Sequence, residues 1–547
     1  MLLVVLLISS ALRFWDISSL PNGLHWDEMD TGYQALSLFQ TGRDYFGNRL
    51  PLFPHSLADW RTPVFIYSAV PFVAKLGLTP TSVRLPALTW SLVAIIGLYL
   101  LSYHIFKSRL AAAVSSLALS LSVWHLIYSR KSVETGSLMA LTIFSVTLFL
   151  RGLRRPGYLV LAGFFFALST AAYSPGKLFV PLLVFSLIVT YRRRLLATPK
   201  KYLAAAFAAL YLTSFPVYWD SFLGASGSRF HDLSIFTDPQ TASEIDRRRL
   251  DFDISAGRPK EVGMSPSIIA RLVHNKPLFW ASRLTANYLT TFSTEFLFTK
   301  GDPEPRHSPG RDIVGMLPPA SAIALLLGLV FIVRRLQSPH HRLIAIWLLL
   351  APLPAALTRD GGNHAARLLI LLPALLLLIT AGFMYLAQKN RILLFVSCYL
   401  LLVSSLWDLS YFFTHYRFES AKPYQWGFTE TILRAEKLSS AYDKVIIDLH
   451  ADSPLMAYLF TTKADPATFQ KLHPLPDVAI TDQMSAKVFG NIYLLNSGTR
   501  RWTDITLPGH NLIISTADQP LLDRLEPKIM TINYPDSTPA YYLFARP

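Results

Sequence analysis

The sequence has 547 residues, of which 52% are hydrophobic and only 16% are charged, and its formal net charge is +16. This is more apolar surface than a water-soluble core of that length needs, so the composition predicts a membrane protein rather than a soluble one. The positive charge does not indicate nucleic-acid binding, because the basic residues form short clusters between apolar runs instead of one exposed face, and we expect no nucleic-acid partner.

Apolar runs of membrane-spanning length recur along the chain. Eleven runs of roughly 15 to 25 residues have the length that crosses a hydrocarbon core. They lie near 1–14, 83–106, 110–128, 133–150, 158–173, 178–190, 202–219, 314–333, 343–358, 366–387 and 392–410. If the amino terminus is cytoplasmic and the spans alternate, the five cytoplasmic connections contain 15 Lys and Arg and no Asp or Glu. The rest of the chain then has 36 basic and 35 acidic residues, so the excess positive charge is an orientation signal.

This pattern predicts a polytopic α-helical protein of the inner (plasma) membrane, with residues 14–82, 220–313 and 411–547 outside the cytoplasm. We divide it into a transmembrane domain over 1–410 and an extracytoplasmic domain over 411–547. The opening run lacks a charged leader and a clear small-residue cleavage site, so we predict a first span rather than a signal peptide. Cys398 is the only cysteine and lies in the last predicted span, so no intramolecular disulfide can brace the outer domains.

The first outer segment, 14–82, holds a cluster of acids close to the predicted membrane edge. Three acidic residues fall within one turn of a predicted helix: Asp27, Glu28 and Asp30. The aromatic residues Trp26 and Tyr33 bracket them, and Asp59 and Arg61 follow further along the same segment. Most loop carboxylates are only solvated. Acids and a cation gathered at membrane level nevertheless indicate a polar site that faces a lipid-borne substrate.

Cationic residues mark the outer ends of the next spans. Arg130 lies at the end of the third predicted span and precedes Glu134 by four residues, so we expect an i, i+4 ion pair. Arg130 either lines a phosphate site or anchors its helix. The stretch SPGKL is similar to part of a phosphate-binding loop, but Ala171 replaces its first Gly and Leu178 its Ser or Thr. We therefore predict a tight turn, with Lys177 available to a lipid headgroup.

The second outer segment, 220–313, is polar and aromatic. Apolar positions recur at helical spacing over 267–292, which suits a helix along the membrane surface. Other outer-face groups near span ends either complete an anion pocket or anchor the chain at the interface; they are Arg306, His307, Asp360, His364 and Arg367.

The carboxyl-terminal segment, 411–547, changes in composition. Its apolar runs shorten to strand length in KVIID, VAIT, NIYLL, NLIIS and YYLF, and helix-like pieces such as SPLMAYLF and ATFQKL lie between them. We predict a small α/β domain. It has no Gly-rich phosphate loop, so the sequence does not support a nucleotide site there.

Together these motifs resemble the GT-C superfamily of polyprenyl-phosphate-sugar-dependent glycosyltransferases, especially bacterial members of the protein O-mannosyltransferase and aminoarabinose-transferase type. The resemblance covers roughly residues 1–430. Its motifs are WDE (26–28), DWRTPVFIY (59–67), VRLPAL (83–88), WHLIYSRKSVE (124–134), AYSPGKL (172–178), FSTEFLFTKGDPEPRHSPG (292–310), GGNHAAR (361–367) and HY…YQWGF (415–428). The far carboxyl-terminal domain departs from the protein mannosyltransferases, so their acceptor is not carried over.

The resemblance implies an inverting sugar transfer from a polyprenyl-phosphate-linked donor to a hydroxyl of an acceptor protein, lipid or glycan. It assigns Asp27 as the general base, because a hydroxyl is a poor nucleophile at neutral pH, and gives Glu28 a supporting part. Arg61 matches the cation that contacts the lipid phosphate. We add weaker candidates for the donor phosphate (Arg130, Lys177 and Arg367) and for substrate binding (Asp59, Tyr33, Glu134, Arg306, His307 and His364). The relatives imply no obligatory metal or other cofactor.

Several alternatives stay open. Asp27, Glu28 and another outer carboxylate are also a set that binds a divalent cation. Asp27 with Asp59 would suit a retaining hydrolase if the two carboxylates lie about 5 Å apart. A transporter or flippase for a lipid-linked or anionic substrate would place ionisable residues near the bilayer midplane, whereas nearly all Asp and Glu here lie in outer segments. An anchored binding protein would leave eleven spans unexplained.

Overall fold

The computed structural model describes residues 1–57, 59–258, 265–308, 310, 312–448, 454–481, 484–495, 509–517 and 528–546. Within these ranges it contains 24 α-helices and seven strands. The helices of the first half are α1 (Leu2–Phe14), α2 (Trp26–Thr41), α3 (Pro63–Leu76), α4 (Pro80–Phe106), α5 (Arg109–Leu121), α6 (Val123–Ser129), α7 (Thr135–Gly152), α8 (Gly157–Thr170), α9 (Gly176–Leu196), α10 (Lys200–Leu223), α11 (Ser228–Leu233), α12 (Thr241–Ser255) and α13 (Ile268–Val273).

The remaining helices are α14 (Lys276–Thr290), α15 (Ser321–Val333), α16 (Pro339–Leu350), α17 (Leu353–Ala356), α18 (Ala365–Leu368), α19 (Leu372–Lys389), α20 (Arg391–Thr414), α21 (Tyr416–Glu419), α22 (Phe428–Leu438), α23 (Pro454–Thr462) and α24 (Pro466–Leu472). The strands are β1 (Lys444–Asp448), β2 (Asp477–Thr481), β3 (Met484–Phe489), β4 (Ile492–Leu495), β5 (Asn511–Thr516), β6 (Lys528–Asn533) and β7 (Pro539–Arg546). Short 3₁₀ turns cover Ala225–Gly227, Leu369–Leu371 and Ser439–Ala441, and a π-turn covers Glu295–Thr299.

Each of the eleven predicted spans contains at least one helix. Five helical stretches of the described residues are long and apolar enough to cross a membrane: Pro80–Phe106, Thr135–Gly152, Lys200–Leu223, Ala365–Lys389 (α18, the 3₁₀ turn and α19 together) and Arg391–Thr414. The predicted span over 110–128 is bent, because the chain turns by 62° between α5 and α6; as one broken span, the pair makes a sixth. The polytopic helical class is therefore confirmed, and the count of eleven spans stays a prediction.

The chain forms two compact units, of which the first contains Met1–Val5, Val93–Trp124 and Ser137–Leu406. Close helix packing in this unit depends on small residues, as is common between membrane helices. A Cβ atom at Gly328 of α15 would lie 1.9 Å from the carbonyl oxygen of Leu378, and one at Gly382 of α19 would lie 1.9 Å from that of Ala324. Only glycine lets the two backbones approach this closely.

The predicted single surface helix over 267–292 is wrong in one respect. The structure has two helices there, α13 and α14, because the α-conformation is broken at His274 and Asn275. The Asn275 side chain accepts a hydrogen bond from the backbone N–H of Leu278, and Pro277 occupies the first turn of α14. Large apolar side chains remain exposed on both helices: Ile268, Ile269, Leu272, Val273, Leu278 and Leu289.

The second unit contains Leu6–Leu92, His125–Gly136 and Trp407–Pro547. Its strands form one sheet in the order β2-β3-β4-β1-β5-β7-β6. Strand β1 pairs in parallel with β4 and β5, and the other pairs are antiparallel. All five strand-like runs and both helix-like pieces of the sequence form such elements, although Ser453 lies outside the described residues. The predicted α/β character of this segment is thus confirmed in part, by the sheet and helices among the described residues.

The core of the second unit joins the first outer segment to the sheet domain. Helix α2 buries Met29 and Tyr33 in one apolar cluster with Phe460 and Phe469 of α23 and α24. This core fixes α2, and therefore the acids at its start, to a folded support.

Candidate functional site

The candidate site begins at the amino-terminal end of α2. His25 caps this helix: its Nδ1 accepts the backbone N–H of Asp27 at 3.2 Å, and its own backbone N–H donates to Oε2 of Glu28 at 3.3 Å. The same Nδ1 lies 3.3 Å from Oδ2 of Asp27. A neutral Nδ1 serves the cap, whereas a protonated one would donate to this carboxylate. The cap places Asp27 in the first turn, where the helix dipole favours a negative charge.

Arg61 lies at the centre of three carboxylates. Its Nε and Nη2 donate to Oε1 of Glu134 at 2.8 and 2.6 Å, and its Nη1 donates to Oδ2 of Asp30 at 3.1 Å and to Oδ1 of Asp27 at 3.4 Å. Asp30 also accepts hydrogen bonds from the hydroxyls of Tyr45 at 2.6 Å and Ser56 at 2.9 Å. This network of hydrogen bonds and ion pairs holds the guanidinium of Arg61 in one orientation.

Exposure separates the three acids around Arg61. The side chains of Arg61, Asp30 and Glu134 are 4%, 1% and 5% exposed, whereas that of Asp27 is 41% exposed. Asp27 is therefore the acid of this cluster that is open to solvent. The other two neutralise and orient the arginine beside it.

Charge and burial act in opposite directions in this cluster. Burial raises the pKa of Asp30 from 3.8 to about 6, even though Arg61 and the two hydroxyls lower it. Burial disfavours the charge of Arg61, but Glu134, Asp27 and Asp30 raise its pKa well above the ordinary value. Arg61 thus stays a cation throughout the range of pH in which proteins are folded.

Glu28 faces away from Asp27, as helical spacing predicts for adjacent residues. Its carboxylate pairs with Nε and Nη2 of Arg84 at 3.1 and 3.2 Å and accepts the backbone N–H of Ser132 at 3.0 Å. Arg84 also donates to the carbonyls of Ile17, Pro21 and Gly23, which precede α2. Glu28 and Arg84 therefore position the start of α2.

The expected ion pair between Arg130 and Glu134 is wrong, because each side chain bonds elsewhere. Arg130 is fully buried and donates to four backbone carbonyls, those of Leu12, Arg13, Trp15 and Leu20, at 2.6 to 3.2 Å. Glu134 instead accepts from Arg61. The contacts of Arg130 fix the segment 12–20, which is a structural use of its donors.

Tyr33 and Asp59 were also predicted to bind substrate, and both lie in this unit. Tyr33 is fully buried, and its hydroxyl donates to the carbonyl of Ala464 at 3.1 Å, so the structure places it in the core. Asp59 is partly buried and its negative charge helps to raise the pKa of Arg61.

In the first unit, Lys177 and Arg367 line one cavity of about 390 Å³. The wall includes Tyr218, Phe222 and Phe230, so it is largely apolar, and Lys177 and Arg367 are the two cations that line it. Nη1 of Arg367 donates to Oγ1 of Thr358 at 2.7 Å and to Oδ1 of Asp360 at 2.5 Å. The sequence predicted both cations for lipid phosphate, and the structure brings these two together.

His307 and His364 also come together in the first unit. Their ring centroids are 4.5 Å apart, and Nδ1 of His307 lies 3.0 Å from Oδ2 of Asp302. Burial and the charge of Arg367 lower the pKa of His364 to about 3, so its imidazole is neutral. The neighbouring Arg306 donates from Nε to Oε1 of Glu304 at 2.9 Å.

Asp30 belongs to the acidic cluster seen in the sequence but was not predicted as a site residue, and the sequence motifs did not point to His25, Arg84 or Asp302. The spacing of Asp27 and Asp30, three residues apart on one helix, indicates a shared face. Nothing in the local sequence around Arg84 shows that its partner is Glu28, because 56 residues separate them.

Part of the sequence matches a known protein family. Residues 61–219 match the dolichyl-phosphate-mannose-protein mannosyltransferase family. This segment includes Arg61, Arg84, Glu134 and Lys177, whereas Asp27 precedes it. Among curated proteins, none matches the sequence significantly.

Solved structures with a similar fold include ArnT from Cupriavidus metallidurans bound to undecaprenyl phosphate. Its TM-score is 0.53 at 12% identity, with 99% of this chain and 96% of that chain covered. ArnT in the apo state gives a TM-score of 0.50 at the same identity and coverage. The oligosaccharyltransferase of Archaeoglobus fulgidus, in complex with Zn and sulfate, gives 0.47 at 14% identity. In that comparison 82% of this chain is covered, and the chain spans 60% of the length of the oligosaccharyltransferase. The resemblance predicted from the sequence motifs is confirmed.

Proposed function

We propose that this chain is a glycosyltransferase of the GT-C type, because residues 61–219 match a mannosyltransferase family and the fold is similar to that of ArnT, and we propose one reaction for it. It moves a sugar from a polyprenyl-phosphate donor to an acceptor hydroxyl on the extracytoplasmic face of the membrane, with inversion at the anomeric carbon. The observation that carries the proposal is the exposed carboxylate of Asp27 beside a buried, fixed cation, Arg61. ArnT, whose fold is similar, was solved bound to undecaprenyl phosphate.

Asp27 is the general base of the proposed reaction. As the acceptor oxygen forms its bond to the anomeric carbon, its proton passes to the Asp27 carboxylate. The bond between the anomeric carbon and the phosphate oxygen breaks in the same displacement, and its electron pair leaves with the polyprenyl phosphate. Since the departing phosphate is a weak base, the step needs charge neutralisation on that side more than a proton.

Arg61 is the cation that we assign to the phosphate. Its Nη1 bond to Asp27 is the longest of its ion-pair contacts, at 3.4 Å, whereas both bonds to Glu134 are 2.8 Å or shorter. A phosphate oxygen can therefore replace Asp27 at Nη1 while Glu134 and Asp30 keep the guanidinium in place. This exchange would also release the Asp27 carboxylate for the acceptor hydroxyl.

The cavity with Lys177 and Arg367 has the chemistry of a lipid-phosphate site. Its two cations suit a phosphate, and its aromatic wall suits the first isoprenoid units. We propose that both residues contribute to binding of the donor.

The function is tested with the purified full chain in detergent. Radiolabelled polyprenyl-phosphate sugars are supplied one at a time with membrane extract, and the consumption of donor and the labelled product are measured. We expect one donor to be consumed and its sugar to appear on an acceptor. If no donor is consumed, or if vesicles containing the protein only move the labelled lipid between leaflets, the transferase proposal fails.

A further inference from the structure

A second cluster of chemistry-bearing side chains lies in the first unit, outside the contacts of Asp27 and Arg61. It consists of Asp302, His307 and His364. One ligand atom from each residue lies within 4.8 Å of the others. Asp302 and His307 belong to the loop after the π-turn Glu295–Thr299, and His364 directly precedes α18.

The carboxylate of Asp302 is fixed by the backbone. Oδ2 accepts the N–H of Ala365 at 2.7 Å, and Oδ1 accepts the N–H of Glu304 at 2.9 Å. These two backbone bonds hold the carboxylate in one orientation. Nδ1 of His307 already lies 3.0 Å from Oδ2.

His364 provides an independent sign of a missing ligand. Its Nδ1 is buried and has no hydrogen-bond partner among the residues that the structure describes. Leaving a buried imidazole nitrogen unpaired is unfavourable. A metal ion accepts the lone pair of this nitrogen without needing a proton.

We propose that Asp302, His307 and His364 bind one Zn²⁺ ion. Two imidazoles and a carboxylate are a ligand set that zinc takes, whereas Mg²⁺ and Ca²⁺ prefer oxygen ligands alone. Bond lengths of about 2.1 Å to a tetrahedral zinc place neighbouring ligand atoms about 3.4 Å apart. The separations here, from 3.0 Å to at most 4.8 Å, bracket that value.

The surrounding charges allow a divalent cation. Arg306 is paired with Glu304 at 2.9 Å, and Arg367 is paired with Asp360 at 2.5 Å, so both nearby arginines have a carboxylate of their own. The Asp302 carboxylate would offset part of the charge of the zinc. Three protein ligands leave a fourth position for water.

The zinc would join two segments that are about sixty residues apart in sequence. One is the loop 302–307, and the other is the turn 360–364 that leads into the apolar helix Ala365–Lys389. Arg367, which lines the 390 Å³ cavity, is three residues after His364. A zinc ion here would therefore fix the backbone that carries Arg367.

The test uses the purified full chain, stripped with a chelator and titrated with ZnCl₂ against a chromophoric competitor. We expect one tight Zn²⁺ per chain. Asp302→Asn, His307→Ala and His364→Ala should each weaken binding at least tenfold. The control His231→Ala, at an exposed histidine, should leave it unchanged. The site is overturned if each of the three variants binds Zn²⁺ as tightly as the wild type. It is also overturned if the wild type binds Zn²⁺ no more tightly than a chain with all three substitutions.

If the variants fail to fold, a measurement on the wild-type chain alone still tests the site. X-ray absorption of the zinc-loaded protein should show a shell of nitrogen and oxygen ligands at about 2.0–2.1 Å with two imidazoles. A sulfur shell at about 2.3 Å, which would have to involve Cys398, or oxygen ligands alone would contradict the assignment. Addition of ZnCl₂, but not MgCl₂, should also raise the Tm of the stripped wild type.

Discussion

At the scale of single residues, the cluster around Arg61 divides its acids into two kinds. Asp30 and Glu134 are buried and hold the guanidinium, and Asp27 is open to solvent. Two buried acids that share one arginine are costly to desolvate, so the pair is better explained by orientation than by stability. The arrangement fixes the orientation of the Arg61 guanidinium before any substrate binds.

Replacement of Arg61 separates its structural role from its proposed contact with phosphate. Arg61→Ala leaves two buried carboxylates without their cation and should lower stability by about 3–5 kcal/mol. Arg61→Lys keeps the charge but loses the fork of parallel donors, so we expect a folded protein with a KM for the donor raised roughly tenfold or more. Donor kinetics and the Tm of both variants provide the measurement. A Lys variant with unchanged donor KM and reduced kcat would make Arg61 a positioning residue for Asp27.

Asp30 should make stability depend on pH. Its pKa is raised from 3.8 to about 6 on folding, so the folded chain binds an extra proton between these values. This contribution is fully present below pH 3.8 and is lost as the pH rises through 6, by roughly 3 kcal/mol at most. In a thermal-unfolding series from pH 4 to 7, Asp30→Asn should flatten this part of the wild-type profile, and Asp232→Asn, at an exposed acid, should not. An unchanged profile in Asp30→Asn would assign the titration to another group.

At the scale of elements, long-range arginine contacts hold the segments that carry the site. Arg84 joins the chain before α2 to the start of α4, and Arg130 holds the carbonyls of residues 12–20. Neither arrangement follows from local sequence, because each arginine bonds to backbone atoms that no side-chain pattern identifies. The capping of α2, by contrast, involves His25 and Glu28 three residues apart and is local.

The sequence also predicted some strands better than others. The five predicted strands are apolar enough to be recognised in the sequence, but β3 and β6 were not predicted. Strand β6 is at an edge of the sheet and alternates between exposed and buried positions, so its sequence KIMTIN carries a weak apolar signal. The break between α13 and α14 was missed because its apolar spacing continues across Asn275 and Pro277.

Glycine packing between α15 and α19 gives a prediction at this scale. Gly328→Ala would place a Cβ 1.9 Å from the carbonyl oxygen of Leu378, so the helices must separate and the Tm should fall. Gly157→Ala is the matched control, because a Cβ there meets no atom within 4 Å and the change should be neutral or mildly stabilising. Equal Tm values for the two variants would show that close approach at Gly328 does not stabilise the protein.

At the scale of the whole molecule, the chain combines apolar helices with a cluster of acids around Arg61 and a seven-stranded sheet. Charge and hydropathy were enough to predict the polytopic class, because the membrane imposes length and composition on every span. They were not enough to predict the partners of buried charges such as Arg130 and Glu134. Those partners depend on the tertiary contacts between segments, and a single sequence does not reveal these contacts.

The central claim is that Asp27 takes the acceptor proton during sugar transfer. The most direct test measures transfer and donor binding on the same preparations of wild type and Asp27→Asn, with Asp232→Asn as the control. We predict that Asp27→Asn still binds the donor and loses transfer by at least a hundredfold, since a positioned base contributes roughly 10²–10⁴-fold. Transfer by Asp27→Asn at the wild-type rate would contradict the account.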